Sequence, residues 1–136
     1  FYTQLCPPKS MGNLLIMLVS ISFGYLILWL ISFIIQTWSF WLFSVWGIIT
    51  IKNVFINVLS GSLLPLWFMP KALRIVISYT PFASIYFTPV QIYLGEITGV
   101  DILTNMLVQC GWIAGLYLIG NVFWKRGVRK LVVQGG

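Results

Sequence analysis

The sequence has almost no acid and no histidine. Across 136 residues there are two carboxylates, Glu96 and Asp101, eight Lys and Arg, and no His. Ten charged side chains, 7% of the chain, cannot coat a water-facing surface, which in a soluble domain carries roughly 25% charged residues. Without histidine, and with Cys6 and Cys110 far apart, there is no metal-ligand or redox spacing. Cys110 lies in an apolar run and reads as a small packing residue, with a disulfide to Cys6 left open. No nucleophile–base pair is present, and Gly61 to Trp67 lacks the Lys and Ser/Thr of a nucleotide loop. The long apolar runs contain no acid, so an intramembrane proton relay has nothing to work with. Glu96 and Asp101 read as one solvated charge and one helix cap rather than as a catalytic pair. No cofactor is expected in this chain.

What the sequence does have is apolar surface: 60% apolar and 17% aromatic residues, including seven Trp. That composition suits lipid tails and headgroups. The expected fold class is an all-α membrane protein with three transmembrane helices and a short re-entrant or interfacial helical hairpin on the outer side. Because the chain starts at Phe1, it reads as a single transmembrane domain, 1–136, that is a fragment or the ordered part of a longer chain.

The first span is expected over about 14–36: Leu14 to Gln36 is 23 residues without a charge. At 1.5 Å per residue this crosses a hydrocarbon layer of roughly 30 Å. Asn13 is a plausible N-cap. Trp38, Trp41 and Trp46 form an interfacial belt, with a turn near Gly47. The second span is expected over 48–68, with Lys52 snorkelling to the belt and Pro65 and Pro70 ending it. Within it Thr50, Asn53, Asn57 and Ser60 share one helix face. Lipid cannot satisfy carboxamides, so Asn53, Asn57 and Ser60 are candidates for lining a pathway or for helix–helix hydrogen bonding.

Residues 70–99 are too broken to span. Pro70, Pro81 and Pro89 punctuate apolar pieces of about 10 residues, which fit two short helices near 71–79 and 85–95. Gly95 and Gly99 bracket the exit, and Asp101 is a fair N-cap. The third span is expected over 102–124, where Gly111 and Gly115, beside Ala114, are candidates for close helix packing. Lys125, Arg126, Arg129 and Lys130 follow and mark the cytoplasmic membrane flank. The basic tally is then five inside, with Lys52, against Lys9, Lys71 and Arg74 outside. Nucleic-acid binding is not expected, because half of the basic residues crowd one terminus.

The order of these features resembles the C-terminal half of type-2 ATP-binding-cassette (ABC) exporter permeases. Ser60 to Pro70 is similar to the family's "SG…P…FP" exit from span five, Pro81 to Pro89 to its "PF…y.P" hairpin, and Phe123 to Lys130 to its "W.rGlrr" tail. The resemblance covers about residues 14–136. It implies a permease subunit that is not itself an enzyme, leaves ATP hydrolysis to a separate partner chain, and exports a substrate across the bacterial inner (cytoplasmic) membrane. Its implied partners are cytoplasmic ABC ATPase subunits, which would hold ATP and Mg, and a second permease chain, identical or related. The alternative is a non-transporting membrane assembly or anchoring subunit.

Overall fold

A computed structural model describes residues 11–42, 44–63 and 68–135. The order is α1 (Met11–Thr37), a 3-10 turn (Trp38–Phe40), α2 (Trp46–Leu59), α3 (Lys71–Ser78), α4 (Ala83–Leu94) and α5 (Val100–Gly135). Among the described residues the structure is helical throughout, with no strand.

Two stretches, Met11–Phe40 and Val100–Lys130, are long and apolar enough to cross a membrane. Only 28% and 17% of their most apolar windows are buried inside the chain. A core helix of a soluble protein would be covered by its own fold. Here Leu15, Tyr25, Leu107 and Leu118 stay open, which lipid or further helices would cover.

α1 contains the expected first span, but it already includes Met11, so Asn13 lies inside the helix and does not cap it. The turn also comes earlier than Gly47. Trp38 O accepts from the N–H groups of Trp41 and Leu42, closing the chain there, and Gly47 falls in the first turn of α2. α2 itself is shorter than the expected 48–68 span. It ends at Leu59, with Gly61 at φ 82°, a conformation that favours glycine. Fourteen residues reach about 21 Å, less than the hydrocarbon layer. Pro65 lies outside the described residues.

The broken segment is two helices, α3 and α4, close to the expected bounds. Pro89 sits within α4. Gly95 and Gly99 both take positive φ, 67° and 55°, and turn the chain into α5. Asp101 is one residue inside α5, in its first turn, rather than its cap. There its carboxylate still favours the positive end of the helix. α5 runs well beyond the expected 124, to Gly135.

α1 and α5 run parallel. Ser20 meets Gln109, Phe33 meets Gly120 and Phe40 meets Gly127, so positions advance together along both helices. The chain between them must return from the Thr37 end to the Met11 end. α2 makes the start of that return, antiparallel to α1: Lys52 Nζ donates to Ser32 Oγ at 3.0 Å, short of the belt it was expected to reach. The central core joins α1, α2, α4 and α5 through Ile27, Leu30, Ile31, Ile56, Ile85 and Leu116.

Candidate functional site

The feature that organises the fold is the turn between α3 and α4, held between α1 and α5. Gly24, at the midpoint of α1, lets α4 come into backbone contact. A Cβ there would lie 2.7 Å from Ile85 O and 3.2 Å from Ser84 O. Pro89 has no N–H for the carbonyl four residues earlier, which is that of Ile85. The hydrogen on Gly24 that replaces a side chain points at this oxygen, in the manner of a Cα–H···O contact.

From the other side comes Gln109, fully buried on α5. Its Nε2 donates to Ser84 O at 2.8 Å and to Ser20 O at 3.3 Å. Ser20 Oγ donates to Gln109 Oε1 at 3.1 Å. One carboxamide thus satisfies both of its N–H groups and its carbonyl while joining α1, α4 and α5. One turn further along α5, Trp112 Nε1 donates to Tyr79 O at 2.9 Å. Gln109 and Trp112 are three residues apart, hence on one face, and together they hold both ends of the hairpin turn.

Sequence reasoning missed Gln109, Ser20 and Gly24. The signal was available: a carboxamide in an uncharged apolar run is as costly for Gln109 as for Asn53 and Asn57.

The expected site residues are placed differently from one another. Asn53 and Asn57 are exposed on α2, facing away from this chain's core, whereas Ser60 is fully buried. Ser60 Oγ has no hydrogen-bond partner. A Cβ on Gly111 or Gly115 would meet nothing within 4 Å, so neither packs on a helix of this chain. The intimate contacts belong to Gly24, and to Gly127, where a Cβ would run into the Phe40 ring. Cys110, expected as a small packing residue, is a free thiol exposed on the surface of this chain.

Lys125, Arg126 and Arg129 are exposed and Lys130 is half-buried. All four lie on a continuing helix rather than a loose tail. Beside them is an aromatic layer: Phe33–Trp124 and Phe40–Trp124 centroids are each 5.8 Å apart, and Trp38–Phe123 6.3 Å. Of the expected belt, Trp38 and Trp41 join this layer against Phe123, whereas Trp46 stands exposed at the start of α2. Among the described residues no group of three His, Cys, Asp or Glu could hold a metal ion.

Two helices long and apolar enough to cross a membrane, with little of either buried inside the chain, are what a membrane protein would present. The model of the ABC-2 family transporter proteins matches residues 6–135, nearly the whole chain. The chain belongs to that family, which is a membrane transport component and implies association with ABC ATPase subunits. No curated protein and no solved structure matches it.

Proposed function

We propose that this chain is part of the permease subunit of an ABC transporter that exports a substrate across the cytoplasmic membrane of a bacterium. Partner ATPase subunits drive it from the cytoplasmic side, and a second permease chain, identical or related, completes the pathway. The observation that carries this reading is the hairpin turn clamped at the midpoint of α1. If α1 and α5 cross the bilayer, parallel travel requires the intervening chain to cross back. α2 makes the start of that third crossing. The hairpin then enters from the outer side and reaches about half the bilayer depth before turning back. Backbone at such depth is tolerated where protein buries it, and Gln109 and Trp112 supply the donors.

In this arrangement the basic end of α5 lies in the cytoplasm, in keeping with the bias of Lys and Arg. Closure of the ATPases rocks the paired bundles, and the hairpin acts as the outer gate. Asn53 and Asn57 need water or protein beside them, since lipid offers no partners. Their outward position suits contact with the pathway or with the second permease chain. The open Gly111/Gly115 face is suited to close approach by a second chain.

The test is affinity purification of the complete permease from native membranes, followed by transport in vesicles. A nucleotide-binding ATPase chain is expected to co-purify. Isolation of the permease without one would favour the anchoring alternative. In the same vesicles Asn57→Leu is expected to cut ATP-driven export severalfold while the complex stays assembled. Unchanged export in an intact complex would remove Asn57 from the pathway, and a dissociated complex would place it at the chain–chain contact.

A further inference from the structure

Both carboxylates of the chain open onto one cavity. It lies between the hairpin and the first three turns of α5, with a volume of about 510 Å³, and its walls include Arg74, Tyr79, Phe87, Glu96, Asp101 and Asn105. That volume is within the range of small-molecule sites, roughly 300–1,000 Å³. The sequence alone suggested a solvated charge and a cap; the fold instead brings the two acids to the same wall system.

The hydrogen-bond capacity of this wall has a direction. Ser78 and Thr104 also line the cavity. Ser78 Oγ donates its proton to Ile75 O at 2.8 Å, and Thr104 Oγ1 donates to Val100 O at 3.0 Å. Asn105 Nδ2 donates to Asp101 O at 2.8 Å. Each of these side chains spends a donor on its own helix and keeps oxygen lone pairs for the cavity. The two carboxylates, Glu96 and Asp101, add acceptors beside these oxygens, so a ligand group on that side must donate, while Arg74 and Gln91 bring donors to the rest of the wall. Tyr79 and Phe87 contribute aromatic rings, which attract cations. A bare metal ion needs only a tight oxygen shell, and this space is far larger than one.

We propose that the cavity binds the ammonium group of an organic amine, with Glu96 and Asp101 as counter-charges and the Ser78, Thr104 and Asn105 oxygens as acceptors. Arg74, on the facing helix, leaves room for an anionic group at the ligand's other end. The site rests on the fold alone, so its failure would leave the transport reading standing, and the reverse.

Equilibrium dialysis of benzylammonium against the complete permease, purified in nanodiscs with its partner chains, tests this. Benzyl alcohol is the neutral control of nearly the same shape. Saturable binding of benzylammonium is expected, at least about tenfold weaker in Glu96→Gln/Asp101→Asn. The alcohol is expected to show only non-saturable partitioning. The exposed single variants Glu96→Gln and Asp101→Asn, each with a smaller loss, carry the test should the double variant misfold. Lys71→Gln, on the same helix as Arg74 but outside the cavity wall, is expected to bind as wild type. Nanodiscs with ethanolamine or choline headgroups separate the sources of the amine. Weaker benzylammonium binding in the ethanolamine discs assigns the site to a lipid headgroup, and equal binding assigns it to a free amine. Absence of saturable binding, equal binding of the alcohol, or full affinity in the double variant would overturn the proposal.

Discussion

Replacing Gly24 with alanine should loosen the hairpin from α1 and lower the melting temperature of the purified permease. The added Cβ would lie 2.7 Å from Ile85 O and 3.1 Å from Ile85 Cα, both backbone atoms that cannot rotate away. Relief requires moving α4 as a whole, and overpacking of this kind costs about 1–3 kcal/mol. Gly24→Leu should abolish the docked hairpin. Two alanine controls isolate the cause. At Gly120 the new methyl meets Phe33 Cδ1 at 3.3 Å, a side chain with freedom to shift, and the loss should be small. At Gly111 it meets nothing, and helix propensity favours alanine by up to about 1 kcal/mol, so stability should not fall through contacts within this chain. A Gly24→Ala protein that melts with the Gly111→Ala control would show that α4 does not approach α1 this closely.

Gln109→Leu should also release the hairpin, by a different route. Leucine fits the apolar surroundings but removes the donors to Ser84 O and Ser20 O. Each buried group left short of a partner costs about 1–3 kcal/mol in water-soluble proteins, while hydrogen bonds between membrane helices average about 0.6 kcal/mol. A loss of about 1–2 kcal/mol follows. Gln109→Glu should be worse, because an ionised carboxylate cannot donate to Ser84 O and is costly to bury. Since Gly24→Ala shifts the same Ser84 backbone that Gln109 holds, the two changes should be less than additive together. The check is thermal unfolding of the single and double variants in one detergent. Wild-type stability in Gln109→Leu would remove the clamp from the account.

How much of this was legible in the sequence depends on which physical signal carried it. The class of protein came from composition and charge, which do not depend on packing. The hairpin came from Pro70, Pro81 and Pro89, because a missing N–H and a fixed φ act locally. The point at which the hairpin meets α1 was not legible. It depends on Gly24 meeting Ile85, and nothing local distinguishes Gly24 from Gly111 or Gly115. The spacing of Gly111 and Gly115 points to an intimate contact, but the one within this chain pairs Gly24 with backbone on a different helix. The end of α2 was misplaced for a similar reason. Pro65 and Pro70 read as the stop, while Ser60 and Gly61 close the helix earlier. The convergence of Glu96, Asp101 and Arg74 on one cavity follows from the path of the chain through the hairpin, which no local pattern encodes.

The central claim is that α1 and α5 cross the membrane in the same direction, with the chain between them returning once and the hairpin on the outer side. Single cysteines at Ser44, after α1, and at Thr98, before α5, test it most directly when placed in a permease whose Cys6 and Cys110 are serine. The cells are labelled intact with a membrane-impermeant thiol reagent, then again after permeabilisation. The account predicts that Thr98→Cys is labelled in intact cells and that Ser44→Cys is labelled only after permeabilisation. Labelling of both positions from the same side would contradict it.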